Sequence, residues 1–291
     1  VNWNLARKEL LDSNDLRAML DESPARAARA ILAASGQGNV DAQALLGQIL
    51  LDGRGIQRDP SLAMTWFRFA ADQGHAMARN MLGRCFEHGW GCTPEPARAA
   101  LHYRKAAEQN LDWGLYNLGN LLATGRGVER DHHQAIACYR KAADLGHAKS
   151  MNLLGRYLED GIATQRDPSS AHEWYRRSAE AGDFRGQFSH ATVLAERGEI
   201  EQSVIWLKKA LSGGNLNFFR VSRAVLLNAP HPAIRTLSEG YHQKAAELGD
   251  ETDRAALHDF SLSRLAHGSA HPDNRRVYGR DRLAVRPTPM P

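Results

Sequence analysis

Thirteen histidines and three cysteines are the residues of this chain best suited to metal binding, acid–base work or nucleophilic attack. Their spacing serves none of these. No His-Glu-x-x-His run, no paired Cys–His spacing and no phosphate-cradling glycine loop occurs. The Gly-x-Gly pairs follow helical segments rather than strands, so they read as helix stops and not as a dinucleotide fingerprint. His75 and His147 each follow a glycine at the same place in two similar segments, which points to a turn role. His132-His133 opens a helical segment and is expected in solvent. A hydrolytic trio can be drawn from Ser189, His190 and Glu196. However, His190 stands where similar segments carry a core leucine, so a buried imidazole is the better reading. Cys85, Cys92 and Cys138 are too few, and odd in number, for a disulfide framework or a zinc site. Two readings of the first pair stay open. One is a bridge between a helix end and the loop after it. The other is two core residues, Cys85 in register with Ile49 and Leu121, and Cys92 with Ile56 and Val128. No catalytic residue, metal or cofactor is expected.

The elements that must position these side chains repeat. Leu-Gly recurs at 46–47, 82–83, 118–119 and 154–155, a strict step of 36 residues. A fixed period of this size marks a stacked helical-hairpin array. In the unit from Ala42, residues 42–52 carry apolar side chains at helical spacing, and Gly53-Arg54-Gly55 stops that helix. Asp59-Pro60 then starts a second helix, with Asp as N-cap and Pro in the first turn, and Gly74 ends it. The loop glycine recurs as Gly89, Gly125 and Gly161, and its partner Gly55 as Gly91, Gly127 and then Ala163. The second helix repeats an alanine (Ala63, Ala99, Ala135, Ala171) and an aromatic-rich pair (Trp66-Phe67, His102-Tyr103, Cys138-Tyr139, Trp174-Tyr175). A small pair closes it, as in Ala70-Ala71 and Ala106-Ala107. The small residues are expected to admit close helix approach, and the aromatics to fill the gap between hairpins.

Residues 45–75 (LLGQILLDGRGIQRDPSLAMTWFRFAADQGH) and 117–147 (NLGNLLATGRGVERDHHQAIACYRKAADLGH) resemble Sel-one-like repeat (SLR) units, a branch of the tetratricopeptide-type repeats. The resemblance covers about residues 42–182. The family's tyrosine three residues after the glycine is replaced by Leu50, Phe86, Leu122 and Leu158, which keep its core role. The resemblance implies an all-α fold, a right-handed α-solenoid of antiparallel helix pairs with about six to seven hairpins. Residues 1–41 then form an N-terminal capping hairpin, with 3–13 as its first helix, and 42–182 form four regular units. Residues 183–267 form divergent tetratricopeptide-like units, where the period falls to 32 residues between Gly182 and Gly214. There 217–228 and 233–248 form a weaker hairpin, and 252–266 a capping helix. Residues 268–291, rich in arginine and proline, read as a disordered tail.

The first helices of such an array line its inner face, as the resemblance implies. The residue before Leu and the one after Gly lie three apart and share one face. Those sets, and the next turn, give Met81, Arg84, His88, Asn117, Asn120, Leu153, Arg156 and Asp160 as the candidate partner-binding residues. The Asn117 position matches one where tetratricopeptide domains often carry an asparagine that binds a peptide backbone or carboxylate. Arg84 and Arg156 suit a carboxylate or acidic peptide, while Met81 and Leu153 suit an apolar side chain. The competing reading pairs the two arginines with Asp52, Asp160 or Glu87 across neighbouring helices.

A net charge of +4 with interspersed acids argues against a DNA-binding face. Arg275, Arg276, Arg280, Arg282 and Arg286 in the tail are interrupted by acids and lack an aromatic stacking series. No run of 18 apolar residues occurs. The chain begins at Val1, so its native start is expected to lie upstream, and the compartment stays open between bacterial cytoplasm and periplasm. The expected function is that of a non-catalytic scaffold or adaptor. It binds a peptide or protein segment in bacterial envelope, secretion, motility or regulatory assembly, as the resemblance implies. The alternative is an envelope protein that binds peptidoglycan or another glycan and modulates a wall enzyme. It would need exposed Trp and Tyr, whereas Trp66, Tyr103, Tyr139 and Trp174 read as core by register.

Overall fold

A computed structural model describes residues 13–268, all in helices and the short turns that join them. The helices are α1 (Ser13–Glu22), α2 (Pro24–Gly36), α3 (Val40–Asp52), α4 (Pro60–Asp72), α5 (Ala76–His88), α6 (Pro96–Glu108), α7 (Asp112–Thr124) and α8 (His132–Asp144). They continue as α9 (Ala148–Asp160), α10 (Pro168–Glu180), α11 (Phe184–Glu196), α12 (Ile200–Gly213), α13 (Leu216–Leu227), α14 (Pro232–Thr236), α15 (Ser238–Leu248) and α16 (Glu251–Gly268). Consecutive helices pack as hairpins, so the architecture is the all-α solenoid of SLR type. Contacts divide the chain into two compact units at Leu145/Gly146. α1–α8 belong to the first and α9–α16 to the second.

Each hairpin is closed by the glycine of the ladder. The ring of Tyr103 lies so close to Gly83 that a Cβ there would meet Cε1 at 2.5 Å. Phe67 stands in the same way over Gly47, Tyr139 over Gly119 and Tyr175 over Gly155. The aromatic thus fills the inside of its own hairpin, not the gap between hairpins as the sequence implies. The choice of ring position also needs correction. The buried member is the second of each pair: Phe67, Tyr103, Tyr139 and Tyr175 are all within 2 % of full burial. Trp66 and Trp174, one residue earlier, are only half-buried. A fully buried ring of this size stabilises the fold by roughly 2–3 kcal/mol.

The loop glycines divide two tasks. Gly53, Gly89, Gly125 and Gly161 are left-handed caps with φ near 70° (71°, 74°, 73° and 69°), and the backbone N–H of each donates to a carbonyl of the helix it ends. Gly55, Gly91 and Gly127 instead let the loop lie against the start of the previous hairpin's second helix, at Pro24, Pro60 and Pro96. A Cβ at any of the three would collide with backbone there. The fourth loop keeps the left-handed turn without glycine, since Ala163 has φ 52°. Asn110, φ 57°, replaces glycine in the turn that Gly38, Gly74, Gly146 and Gly182 make elsewhere. Asparagine tolerates this conformation better than most residues.

The helix starts are capped in register. Asn39, His75, His147 and Asp183 each accept a backbone N–H of the following first turn through the side chain. His75 and His147 are therefore N-caps that use Nδ1, which accounts for their identical placement. Asp59, Asp131 and Asp167 cap the second helices, and Ser170 and Gln134 hold the latter two carboxylates below the usual range. Such a cap stabilises by about 1 kcal/mol.

The ends of the chain follow the plan less closely. α1 starts at Ser13, and the expected helix at 3–13 lies outside the described residues apart from Ser13 itself. The expected helix at 233–248 is broken into α14 and α15 at Leu237. Here an aromatic core takes over from alanine and glycine. Phe218 packs on Phe184 at 4.9 Å and on Tyr241 at 5.8 Å, and the Tyr241 hydroxyl donates to the Leu207 carbonyl at 2.8 Å. α16 is tied to α13 through Asp253, which accepts from Arg220 at 2.6 Å and from Arg223 at 3.1 Å. The tail expected to be disordered lies, beyond Gly268, outside the described residues.

Candidate functional site

In the first unit, Met81, Arg84 and His88 run along one stripe of α5, and Asn117 and Asn120 along α7. Met81 is 6 % exposed, so it belongs to the core and offers little surface to a ligand. Arg84 is half-buried. No ion pair reaches it among the described residues; the Glu87 expected to engage it pairs with Arg126 instead, at 3.3 Å. Glu87 also accepts the Tyr103 hydroxyl at 2.6 Å. Arg84 lies over the indole of Trp90, with Cζ 4.8 Å from the ring centroid, and one terminal nitrogen rests 3.9 Å from Met81 Sδ. His88 tilts against the same indole at 4.9 Å and keeps Nε2 4.0 Å from Glu87. Burial, with the Arg84 and Arg126 charges and against Glu87, holds His88 below the usual histidine range. Its imidazole is neutral at pH 7.

On α7 each asparagine has half of its amide engaged inside the fold. Asn117 Nδ2 donates to Asn80 Oδ1 at 2.9 Å, and Asn120 Oδ1 accepts the Tyr139 hydroxyl at 2.9 Å. An acceptor on Asn117 and a donor on Asn120 are left. Those two groups match the N–H and C=O of a peptide unit. Asn80 escaped the reading of the sequence. It is only 2 % exposed and joins α5 to α7. In the second unit Asn152, two residues before the ladder leucine as Asn80 is, accepts Ser189 Oγ at 2.9 Å and joins α9 to α11.

The second unit places Leu153, Arg156 and Asp160 on α9. Leu153 and Arg156 are half-buried and Asp160 is exposed. No ion pair forms to Arg156 among the described residues, although Asp160 is one turn away. Glu159 instead accepts the Tyr175 hydroxyl at 2.8 Å, repeating the Tyr103–Glu87 bond two periods earlier. Burial, reinforced by these carboxylates, pushes both tyrosines well above the usual phenol range. They are structural donors.

The residues with catalytic potential are dispersed. Ser189 donates to Asn152, while His190 packs edge-on against Trp206 at 5.5 Å. Glu196 is exposed at the end of α11. No hydrogen bond joins the three among the described residues. Among the described residues no cluster of three or more His, Cys, Asp or Glu is placed to hold a metal ion. The three cysteines are free thiols. Burial pushes Cys85 up to about 12, with Cys92 adding to it, and Cys92 Sγ donates to the Cys85 carbonyl at 3.5 Å. A shallow depression of about 260 Å³ on the first unit is lined by Arg104, Val128, Glu129, Arg130 and Asp131. It holds opposed charges, and no Ser, Thr, Cys, His or Lys lines it.

A family model described as Sel1 repeat matches residues 40–75, 76–111, 114–147, 148–183, 196–215 and 237–250. The chain belongs to the Sel1 repeat family. Two solved structures extend the likeness. A Sel1 repeat protein from Oxalobacter formigenes is 23% identical, with a TM-score of 0.66 over 87% of this chain and 99% of that one. A protective antigen present in uropathogenic Escherichia coli strains, displaying an SLR fold, is 26% identical with a TM-score of 0.62. The match covers 87% of this chain and 57% of the antigen. No curated protein sequence matches the chain. Sel1 repeat proteins are generally protein-interaction scaffolds, and the Sel1 fold is typically non-catalytic. Among the described residues no helix is long and apolar enough to cross a membrane.

Proposed function

We propose that this Sel1 repeat protein is a bacterial adaptor that holds an acidic peptide or protein segment against the exposed stripe of its first helices. The observation that carries the reading is the state of Arg84. It is half-buried and free of any carboxylate among the described residues, while the neighbouring Glu87 is taken by Tyr103 and Arg126. A partly desolvated guanidinium without a counter-ion favours an incoming carboxylate, through charge-assisted bonds stronger than those between neutral groups. Arg156 offers the same chemistry on the second unit. The spare acceptor of Asn117 and donor of Asn120 supply backbone recognition beside Arg84. The glycan-binding alternative draws no support from Tyr103, Tyr139 and Tyr175, which are buried against glycine and present no face to a sugar.

The test is recovery of partners from the native organism with wild type, with Arg84→Glu/Arg156→Glu, and with Arg68→Glu as a surface control. Partners kept by the control and lost by the double variant support the reading. Equal recovery by a folded double variant overturns it.

A further inference from the structure

We propose that Arg84 and Trp90 form the specificity anchor of this face, selecting a side-chain carboxylate flanked by an apolar residue within the bound segment. The inference rests on the peptide-binding reading above and names what that site selects.

It starts from a substitution inside the repeat. Position 54 of the first loop and its equivalent 126 are arginine, whereas the loop between them carries Trp90. The two arginines tie their loops to the first helix of the preceding hairpin. Arg54 donates to the Leu20 carbonyl at 3.1 Å and pairs with Asp21 at 2.5 Å. Arg126 donates to the Glu87 carbonyl at 2.8 Å and pairs with its carboxylate at 3.3 Å. An indole cannot make those bonds. Held between two left-handed glycines, Gly89 (φ 74°) and Gly91 (φ 77°), Trp90 instead lies under Arg84 and beside His88.

The stack prepares Arg84 for a ligand. Contact of Cζ with the ring face, 4.8 Å from its centroid, restrains the guanidinium and leaves its N–H groups to bond elsewhere. Only the weak Met81 sulfur contact uses one of them. A carboxylate can therefore bind in the guanidinium plane with little further loss of side-chain freedom. The local charge balance favours it. Arg126 neutralises Glu87 and His88 is uncharged, so the Arg84 charge stands uncompensated. The half-exposed indole continues the surface next to that edge and takes an apolar neighbour of the acid. Because Asn117 and Asn120 prolong the face on α7, the segment runs on past Arg84. The carboxylate is then a side chain rather than a chain end.

The probe is a phage-displayed library of random peptides, selected on the full chain and on folded Arg84→Gln, Arg84→Lys, Trp90→Ile and Arg68→Gln variants. Isoleucine already occupies this loop position at Ile162, so Trp90→Ile keeps a residue the fold accepts. Wild type and Arg68→Gln are expected to enrich peptides with Asp or Glu beside an apolar residue. The best selected peptide should lose about tenfold or more in affinity on Arg84→Gln, corresponding to one charge-assisted hydrogen bond. It should lose less on Trp90→Ile, and Arg84→Lys should restore only part of the binding. Enrichment without an acidic preference, or one unchanged in Arg84→Gln, overturns the anchor and leaves peptide binding standing. Enrichment of a carboxyl-terminal acid reassigns the carboxylate to a chain end and overturns the side-chain proposal. No enrichment on any variant defeats the peptide-binding reading itself.

Discussion

At the residue scale, the glycine of each Leu-Gly step is a steric requirement. A methyl group at Gly83 would meet Tyr103 Cε1 at 2.5 Å, and the ring is buried on all sides and cannot swing away. Gly83→Ala is therefore expected to destabilise by about 1–3 kcal/mol, as overpacking does, and urea unfolding will read it. His102 makes a second prediction. Burial, then the charges of Arg79, Lys105, Arg98 and Arg68, bring it down to about 4, and its buried Nδ1 has no hydrogen-bond partner in the structure. The folded state binds the proton less readily than the unfolded one. The His102 contribution is thus full above the unfolded value near 6.5 and declines as pH falls from there toward 4. Melting temperatures of wild type should fall across that window more steeply than those of His102→Leu; equal slopes would refute the assignment. The hydroxyl acceptors show a limit of sequence reading. Tyr103 and Tyr175 use Glu87 and Glu159, but Tyr139 has Ala123 at the corresponding place and turns to Asn120. The period marks the position of a partner, not the substitute chosen when it is missing.

At the scale of elements, the caps and loop glycines were legible because each answers a local backbone demand. The sequence reads Gly53-Arg54-Gly55 as a helix stop, and the two glycines there have φ 71° and 72°. Trp90 was not legible, because its role depends on what stands above it in space. The ladder leucines were read as core and are buried, but the aromatic was placed one residue early where tryptophan was present. Register is what placed Trp66 and Trp174 in the core, whereas the glycine selects the ring that faces it, one residue later. Ala163 gives a test at this scale. A left-handed alanine costs roughly 1 kcal/mol relative to glycine, offset in part by the greater freedom of glycine in the unfolded chain. Ala163→Gly should raise stability by a few tenths to about 1 kcal/mol, and a lower melting temperature would contradict this. Asp253 gives another. Its carboxylate joins α16 to α13, and Arg220 holds it below the usual carboxylate range. The support is complete above the unfolded value near 3.9 and is lost as pH falls through the lower folded value. Asp253→Asn should cost on the order of 2 kcal/mol at pH 7 and release α16 before the other helices, as amide exchange would show.

At the scale of the whole molecule, a chain of hairpins derives its stability from neighbours. Damage should therefore stay near its source. In exchange experiments Gly83→Ala should open α5 and α6 and spare α13–α16; uniform loss of protection would show a cooperativity that nearest-neighbour contacts do not supply. The architecture and its period were plain from the sequence. Of the residues expected to meet a partner, Met81 proved to be core, and the structural roles of Asn80 and Trp90 went unnoticed. Both depend on contacts between hairpins or above a loop, which a one-dimensional register does not display.

The contact of Gly91 with Pro60, repeated by Gly127 with Pro96, makes hairpin number a quantity that can change by whole steps. Excision of residues 76–111 would deliver Gly127 to Pro60, the same kind of backbone cradle that it leaves. Asn117 would then face Ala44 in place of Asn80, so the shortened stack would forfeit one polar bridge while retaining its joint. Lengthening or trimming in units of 36 residues is in this sense nearly silent for the joint, and a shift of any other length breaks it. Gene duplication and deletion can then redraw the exposed surface unit by unit without redesign of the framework beneath it.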